Sequence, residues 1–123
     1  LVWHGRLPRY NAIEMMRRAH VLACPSIKEA SSIVVIEAVS LGLPVLCHNA
    51  CGMGIVITDE CGIKVPLCNP QVSIDGFAVA IKSIFDHPDS VERMSQASLA
   101  RAFELTWEAK ARVIANAYEE LRR

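Results

Sequence analysis

Two carboxylates, Glu29 and Glu37, are the residues of this chain whose placement most invites chemistry. Glu29 stands just ahead of Ser31 and Ser32, residue types suited to beginning a helix. Glu37 falls inside the helix that would follow, among Val34, Val35, Ile36, Ala38 and Val39. A carboxylate drawn into apolar surroundings is costly unless something hydrogen-bonds it, so Glu37 needs a partner. Vicinal hydroxyls of a ribose would be one. The plainer alternatives are a loop carboxylate in water for Glu29, and solvent or an ion pair with Lys28 for Glu37.

Hydropathy patterning supplies the elements that must hold these groups. Leu1 to His4 reads as a strand closed by Gly5, Asn11 to Ala19 as a helix, and Val21 to Cys24 as a second strand. A helix from Ser31 or Ser32 to Leu41 ends at Gly42, and Pro44 opens a third strand, Val45 to Cys47. Asn49 to Gly54 reads as a turn-rich loop, Ile55 to Ile57 as the start of a short helix or strand, and Ile63 to Val65 as a strand. Three helices close the chain, at about 73–86, 90–103 and 107–121, with Thr106 capping the last. They are expected to cover the sheet. Met15, Met16 and Trp107 read as packing residues.

Strand alternating with helix predicts an α/β fold, a Rossmann-like parallel sheet flanked by helices. Ligands of such sheets sit beyond the carboxyl ends of the strands. That rule gathers Gly5 to Arg9, Ser26 to Ser32 and His48 to Gly54 at one crevice. The helix beginning near Ser32 would aim free amides into it, a setting for phosphate. Arg9 and Lys28 could face a diphosphate or simply water. His4 and His48 read as turn or core residues before catalytic ones. Gly52 and Gly54 could allow close approach to a ligand or form a plain turn.

Composition narrows the function classes. Thirteen Lys and Arg balance thirteen Asp and Glu, and the bases are scattered, which argues against a nucleic-acid partner. No apolar run reaches the roughly 18 residues that cross a bilayer, and no signal peptide is visible. The five cysteines, Cys24, Cys47, Cys51, Cys61 and Cys68, lack paired spacing. Reduced thiols in a cytoplasmic protein therefore fit better than a zinc site built from them and His48. At 123 residues the chain reads as one domain, and its opening at Leu1 suggests a piece of a longer protein.

The run from Pro25-Ser26 through Glu29, seven intervening residues, Glu37-Ala38, Gly42 and Pro44-Val45 carries a family resemblance. It resembles the Glu-x7-Glu pattern of retaining, nucleotide-sugar-dependent group-one glycosyltransferases of the GT-B fold. The likeness extends in order from the Gly5 turn through Gly62 to Trp107. It implies that residues 1–123 are the nucleotide-sugar-binding C-terminal domain, the acceptor-binding N-terminal domain lying outside them. By the same resemblance Glu37 binds the donor ribose, and Glu29 is the catalytic-centre residue that positions the sugar. The resemblance further implies that backbone amides of Ser31, Ser32, Ile33 and Val34 meet the phosphate, that the turn at Gly5 to Leu7 lies near the base, and that the family's diphosphate-binding Arg and Lys precede Leu1; Lys28 is a candidate donor contact on its charge alone.

The implied reaction moves a sugar to a glycan, lipid-linked or small-molecule acceptor, with retention. It needs no metal and no cofactor besides the nucleotide-diphosphate sugar. The implied location is cytoplasmic, peripheral to the inner membrane face through the other domain. Residues 1–123 alone would bind donor weakly and not catalyse transfer. The chain departs from the family at Ser31-Ser32, where Phe-Gly is usual. A nucleotide-sugar epimerase of the same fold and a non-catalytic nucleotide-binding domain are the alternatives.

Overall fold

A computed structural model describes residues 1–122. Its framework is a parallel sheet of three strands in the order β1 (Leu22–Cys24), β2 (Val45–His48) and β3 (Gly62–Val65). The strands pair in register, with Leu22 opposite Val45, Cys24 opposite Cys47, and His48 opposite Val65. Helix α1 (Arg9–Arg17) precedes β1, α2 (Ile33–Ser40) joins β1 to β2, and α3 (Cys51–Val56) joins β2 to β3. Three helices follow: α4 (Pro70–Asp86), α5 (Asp89–Glu104) and α6 (Trp107–Glu120).

The central strand dictates the layering. All four residues of β2 are buried, so the strand faces apolar neighbours on both sides, as parallel sheets require. Val45 and Cys47 point to the face covered by α2 and α3, joining Val35, Val39, Met53 and Ile57 in the larger core. Leu46 points the other way, to Val65 and Ala80 beneath α4. Helix α5 lies on the outside of α2, contributing the buried Met94 and Ser98. The Ser98 hydroxyl donates to the Cys61 carbonyl at 3.2 Å, and the Arg101 guanidinium donates to the carbonyls of Ile55 and Val56 at the end of α3.

Local signals explain most element ends. Helix α2 closes through Gly42 at φ +71°, with the Leu43 amide donating to Ala38 at 2.9 Å and Gly42 to Val39 at 3.0 Å. Those two bonds satisfy the last carbonyls of the helix and need a left-handed residue at Gly42. Helix α4 starts three residues before the expected Ser73, because Asn69 accepts from the Val72 amide and Pro70 occupies the first turn. The expected cap of α6 is present: Thr106 Oγ1 accepts from the Ala109 amide at 3.2 Å.

Several expectations are corrected. Leu1 to His4 forms no strand; the segment is exposed and finds no neighbouring strand within the described residues to complete its backbone bonds. Asn49 to Gly54 is not all loop, since α3 begins at Cys51. The three last helices do not share the work of covering the sheet. Only α4 lies on it, α5 covers α2, and α6 touches α5 with no buried residue of its own. Trp107 is 89% exposed and so packs nothing, while Met16 does border the main core.

Candidate functional site

At the carboxyl ends of β1 and β2, two loops meet edge to edge. The first runs from Pro25 to Ser32 and carries Glu29; the second runs from Asn49 into α3. Gly52 makes their contact possible. A Cβ at Gly52 would stand 2.4 Å from the Ala30 carbonyl oxygen and 3.0 Å from Ser31 Cα. The glycine thus admits another loop of the same protein, and neither a simple turn nor a ligand accounts for it. Cys51 beside it adopts φ 53°, a left-handed conformation unusual for a side-chain-bearing residue.

His48 ties the first loop to the far side of the sheet. Its ring is buried at the end of β2, with Nδ1 3.1 Å from the Ser26 carbonyl and Nε2 3.0 Å from Ser73 Oγ on α4. A carbonyl only accepts, so Nδ1 carries a proton, while the Ser73 hydroxyl pairs with Nε2. Phe77 meets the imidazole edge-on with centroids 5.1 Å apart. The expectation of a core histidine is met, and the ring also joins two partners that lie 22 residues before it and 25 residues after it.

Glu37 sits on α2 facing α1. Its side chain is 18% exposed, and Oε1 accepts from Arg9 Nε and Nη2, each at 2.7 Å. Lys28 is not its partner; among the described residues Lys28 forms no ion pair. Arg9, whose side chain is largely exposed, is thus tied to a carboxylate. It closes one oxygen of Glu37 at the wall of a cleft of about 300 Å³ between α1 and α2. No signal in either segment alone announces the pair, since it depends on two helices 28 residues apart lying side by side.

The remaining candidate residues fall into two groups. Glu29 is half-buried in its loop and forms no ion pair among the described residues. Ser32 is buried at the N-cap position of α2, but its side chain makes no capping hydrogen bond; only its carbonyl serves the helix, accepting from Val35 and Ile36. Ser31 and Ile33 are exposed at the helix start, and Val34 is half-buried against the core. Ile33, Val34 and Glu37 share α2, with Glu37 about 6 Å along the axis from Ile33. Gly5, at φ +62°, and the half-buried Leu7 belong instead to the irregular segment before α1.

The thiols are not organised for chemistry. Burial pushes Cys47 up from 9.0 to about 11, with Cys24 and Cys61 nearby adding to the effect, so it is a neutral packing group at pH 7. Cys24 and Cys61 are buried, while Cys51 and Cys68 are exposed. Among the described residues, no three His, Cys, Asp or Glu side chains gather closely enough to hold a metal ion. Outside the site, Glu60 is held below the usual carboxylate range, chiefly by a hydrogen bond from the Thr58 side chain. No described helix is long and apolar enough to cross a membrane.

The family described as "Glycosyl transferases group 1" matches residues 1–101. Glycogen synthase of Mycobacterium tuberculosis (strain ATCC 25618 / H37Rv) is 28% identical over 116 residues, 93% of this chain and 27% of that protein. D-inositol 3-phosphate glycosyltransferase of Kribbella flavida is 31% identical over 112 residues, 91% of this chain and 26% of that protein. In structure, sucrose-phosphate synthase from Thermosynechococcus elongatus superposes with a TM-score of 0.77 at 28% identity, over 98% of this chain and 30% of that chain. This chain thus spans between a quarter and a third of the relatives it matches. The parallel α/β architecture is that of the GT-B enzymes, and the chain belongs to the group 1 glycosyltransferase family.

Proposed function

We propose that residues 1–123 are the donor-binding unit of a retaining glycosyltransferase, which moves a sugar from a nucleotide-diphosphate sugar to a glycan, lipid-linked or small-molecule acceptor. The observation that carries this reading is the state of Glu37: Arg9 takes one of its oxygens, and the carboxylate remains partly open beside the cleft. In the proposed complex that carboxylate accepts ribose hydroxyls. The amides opening α2, from Ser31 to Val34, take the phosphate with the help of the helix dipole. Neither the Ile33 nor the Val34 amide donates to the protein backbone, which suits that role.

Glu29, at the turn before this helix, meets the transferred sugar. The Gly5 to Leu7 segment lies near the base, and Lys28 adds positive charge toward the diphosphate. The charge that develops on the departing nucleoside diphosphate is met by fixed amides and basic side chains, so the reaction proceeds without a metal. The other half of the site, with its acceptor groups and further diphosphate contacts, lies in the rest of a longer protein. A cytoplasmic enzyme, held at the inner membrane face where its acceptor is lipid-linked, accords with this chemistry. The relatives bear names that include glycogen synthase and D-inositol 3-phosphate glycosyltransferase, which supports glycan and small-molecule acceptors as a class.

The test is a titration of the full-length protein with UDP, GDP and ADP, followed by a transfer assay with the matching sugar nucleotides. Glu37→Ala is expected to weaken nucleotide binding about tenfold or more, the scale of a lost charge-assisted hydrogen bond. Glu29→Ala should leave nucleotide affinity within about twofold and lower transfer by about a hundredfold. Wild-type behaviour in both variants would refute the assignment.

A further inference from the structure

We infer that Arg9 is a positioning residue for Glu37: it fixes the carboxylate so that Oε2 faces a ribose hydroxyl. The inference rests on the reading of Glu37 as the ribose acceptor, and it names a residue outside the Glu-containing segment. Both Arg9 Nε and Nη2 converge on the single oxygen Oε1, each at 2.7 Å. A fork placed across both oxygens would consume the carboxylate; placed on one, it orients the group and spares the other. The Glu37 side chain is 18% exposed and, with Arg9, lines the cleft between α1 and α2.

The partner is supplied by the helix start. Pro8 gives the first carbonyl of α1, accepting from the Ala12 amide at 3.1 Å, and Arg9 is the first residue of the helix proper. Its side chain is 78% exposed, so the pair contributes little to folding stability. Stability and binding can therefore be separated by experiment. A long side chain held in one geometry at such a surface matters only if the geometry serves something else.

The experiment measures UDP, GDP and ADP binding to the full-length protein by calorimetry, then compares the tightest of them with its 2′-deoxy form. Arg9→Ala is expected to weaken the ribonucleotide about fivefold, and to shrink the discrimination against the deoxy form by a similar factor. Its unfolding midpoint should stay within about 2 °C of wild type. Arg9→Lys, which keeps the charge without the fork, should recover only part of the loss. The double variant with Glu37→Ala should bind no worse than Glu37→Ala alone.

The outcomes separate the two claims. If none of the three nucleotides binds, or Glu37→Ala binds like wild type, the ribose reading fails and the inference falls with it. If Glu37→Ala is weakened while Arg9→Ala binds as well as wild type or more tightly, the ribose reading stands and the role of Arg9 is overturned. Additive losses in the double variant also overturn it, because Arg9 would then act without Glu37.

Discussion

At the scale of single residues, His48 has the most to hold. It is the only buried ring nitrogen pair among the described residues that bonds two elements at once, Ser26 on the loop after β1 and Ser73 on α4. His48→Leu would leave the Ser26 carbonyl without its donor, a loss of about 1–3 kcal/mol. Denaturant unfolding should report that loss, and amide exchange across residues 26–32 should quicken. His48→Asn, whose amide can replace the Nδ1 donor, should cost less. An unchanged midpoint in His48→Leu would mean that the loop is held by other contacts. Sequence reading reached this far unevenly. Glu29 and Glu37 are legible because they lie within one loop-helix unit, where spacing fixes relative position. Arg9 is not, because its partner is 28 residues away and helix packing alone decides the meeting.

At the scale of elements, the loop from Pro25 to Ser32 is shaped by what abuts it. Gly52 and Gly54 both lie in α3, so alanine brings each the same gain in helix preference, up to about 1 kcal/mol. Their surroundings differ. A Cβ at Gly52 meets backbone, the Ala30 carbonyl oxygen at 2.4 Å, whereas one at Gly54 meets the side-chain oxygen of Asn49 at 2.9 Å, which can rotate away, and backbone only at 3.3 Å, the Asn49 carbonyl carbon. Gly52→Ala is therefore expected to destabilise by about 1–3 kcal/mol and to weaken nucleotide binding, while Gly54→Ala, with a looser backbone contact, should cost less on both counts. Equal effects on unfolding midpoint and affinity would show that the loop contact does not matter. The same contact explains why α3 escapes a reading of its sequence. Cys51-Gly52-Met53-Gly54 looks like a turn by composition, and only packing against the preceding loop and the core around Met53 makes it helical. Leu1 to His4 is the reverse case: a pattern fit for a strand that pairs with nothing among the described residues.

At the scale of the molecule, burial falls away steeply from β2 toward both ends of the chain. The α2–β2–α3 unit supplies most of the main core, and α5 seals it through Met94, Ser98 and Arg101. Helix α6 stands outside this arrangement. None of its residues is buried, and Val113, Ile114 and Tyr118 are 65%, 58% and 68% exposed. A helix of 14 residues with little tertiary contact is marginal in water, whatever its cap contributes. In residues 1–123, amide exchange should accordingly be fastest in α6 among the helices, and slowest in β2 and the second turn of α2. Truncation after Leu105 should move the unfolding midpoint by no more than about 3 °C, since little apolar area leaves the core. Protection of α6 equal to that of α2, or a collapse on truncation, would mean that its apolar face finds cover within these residues after all.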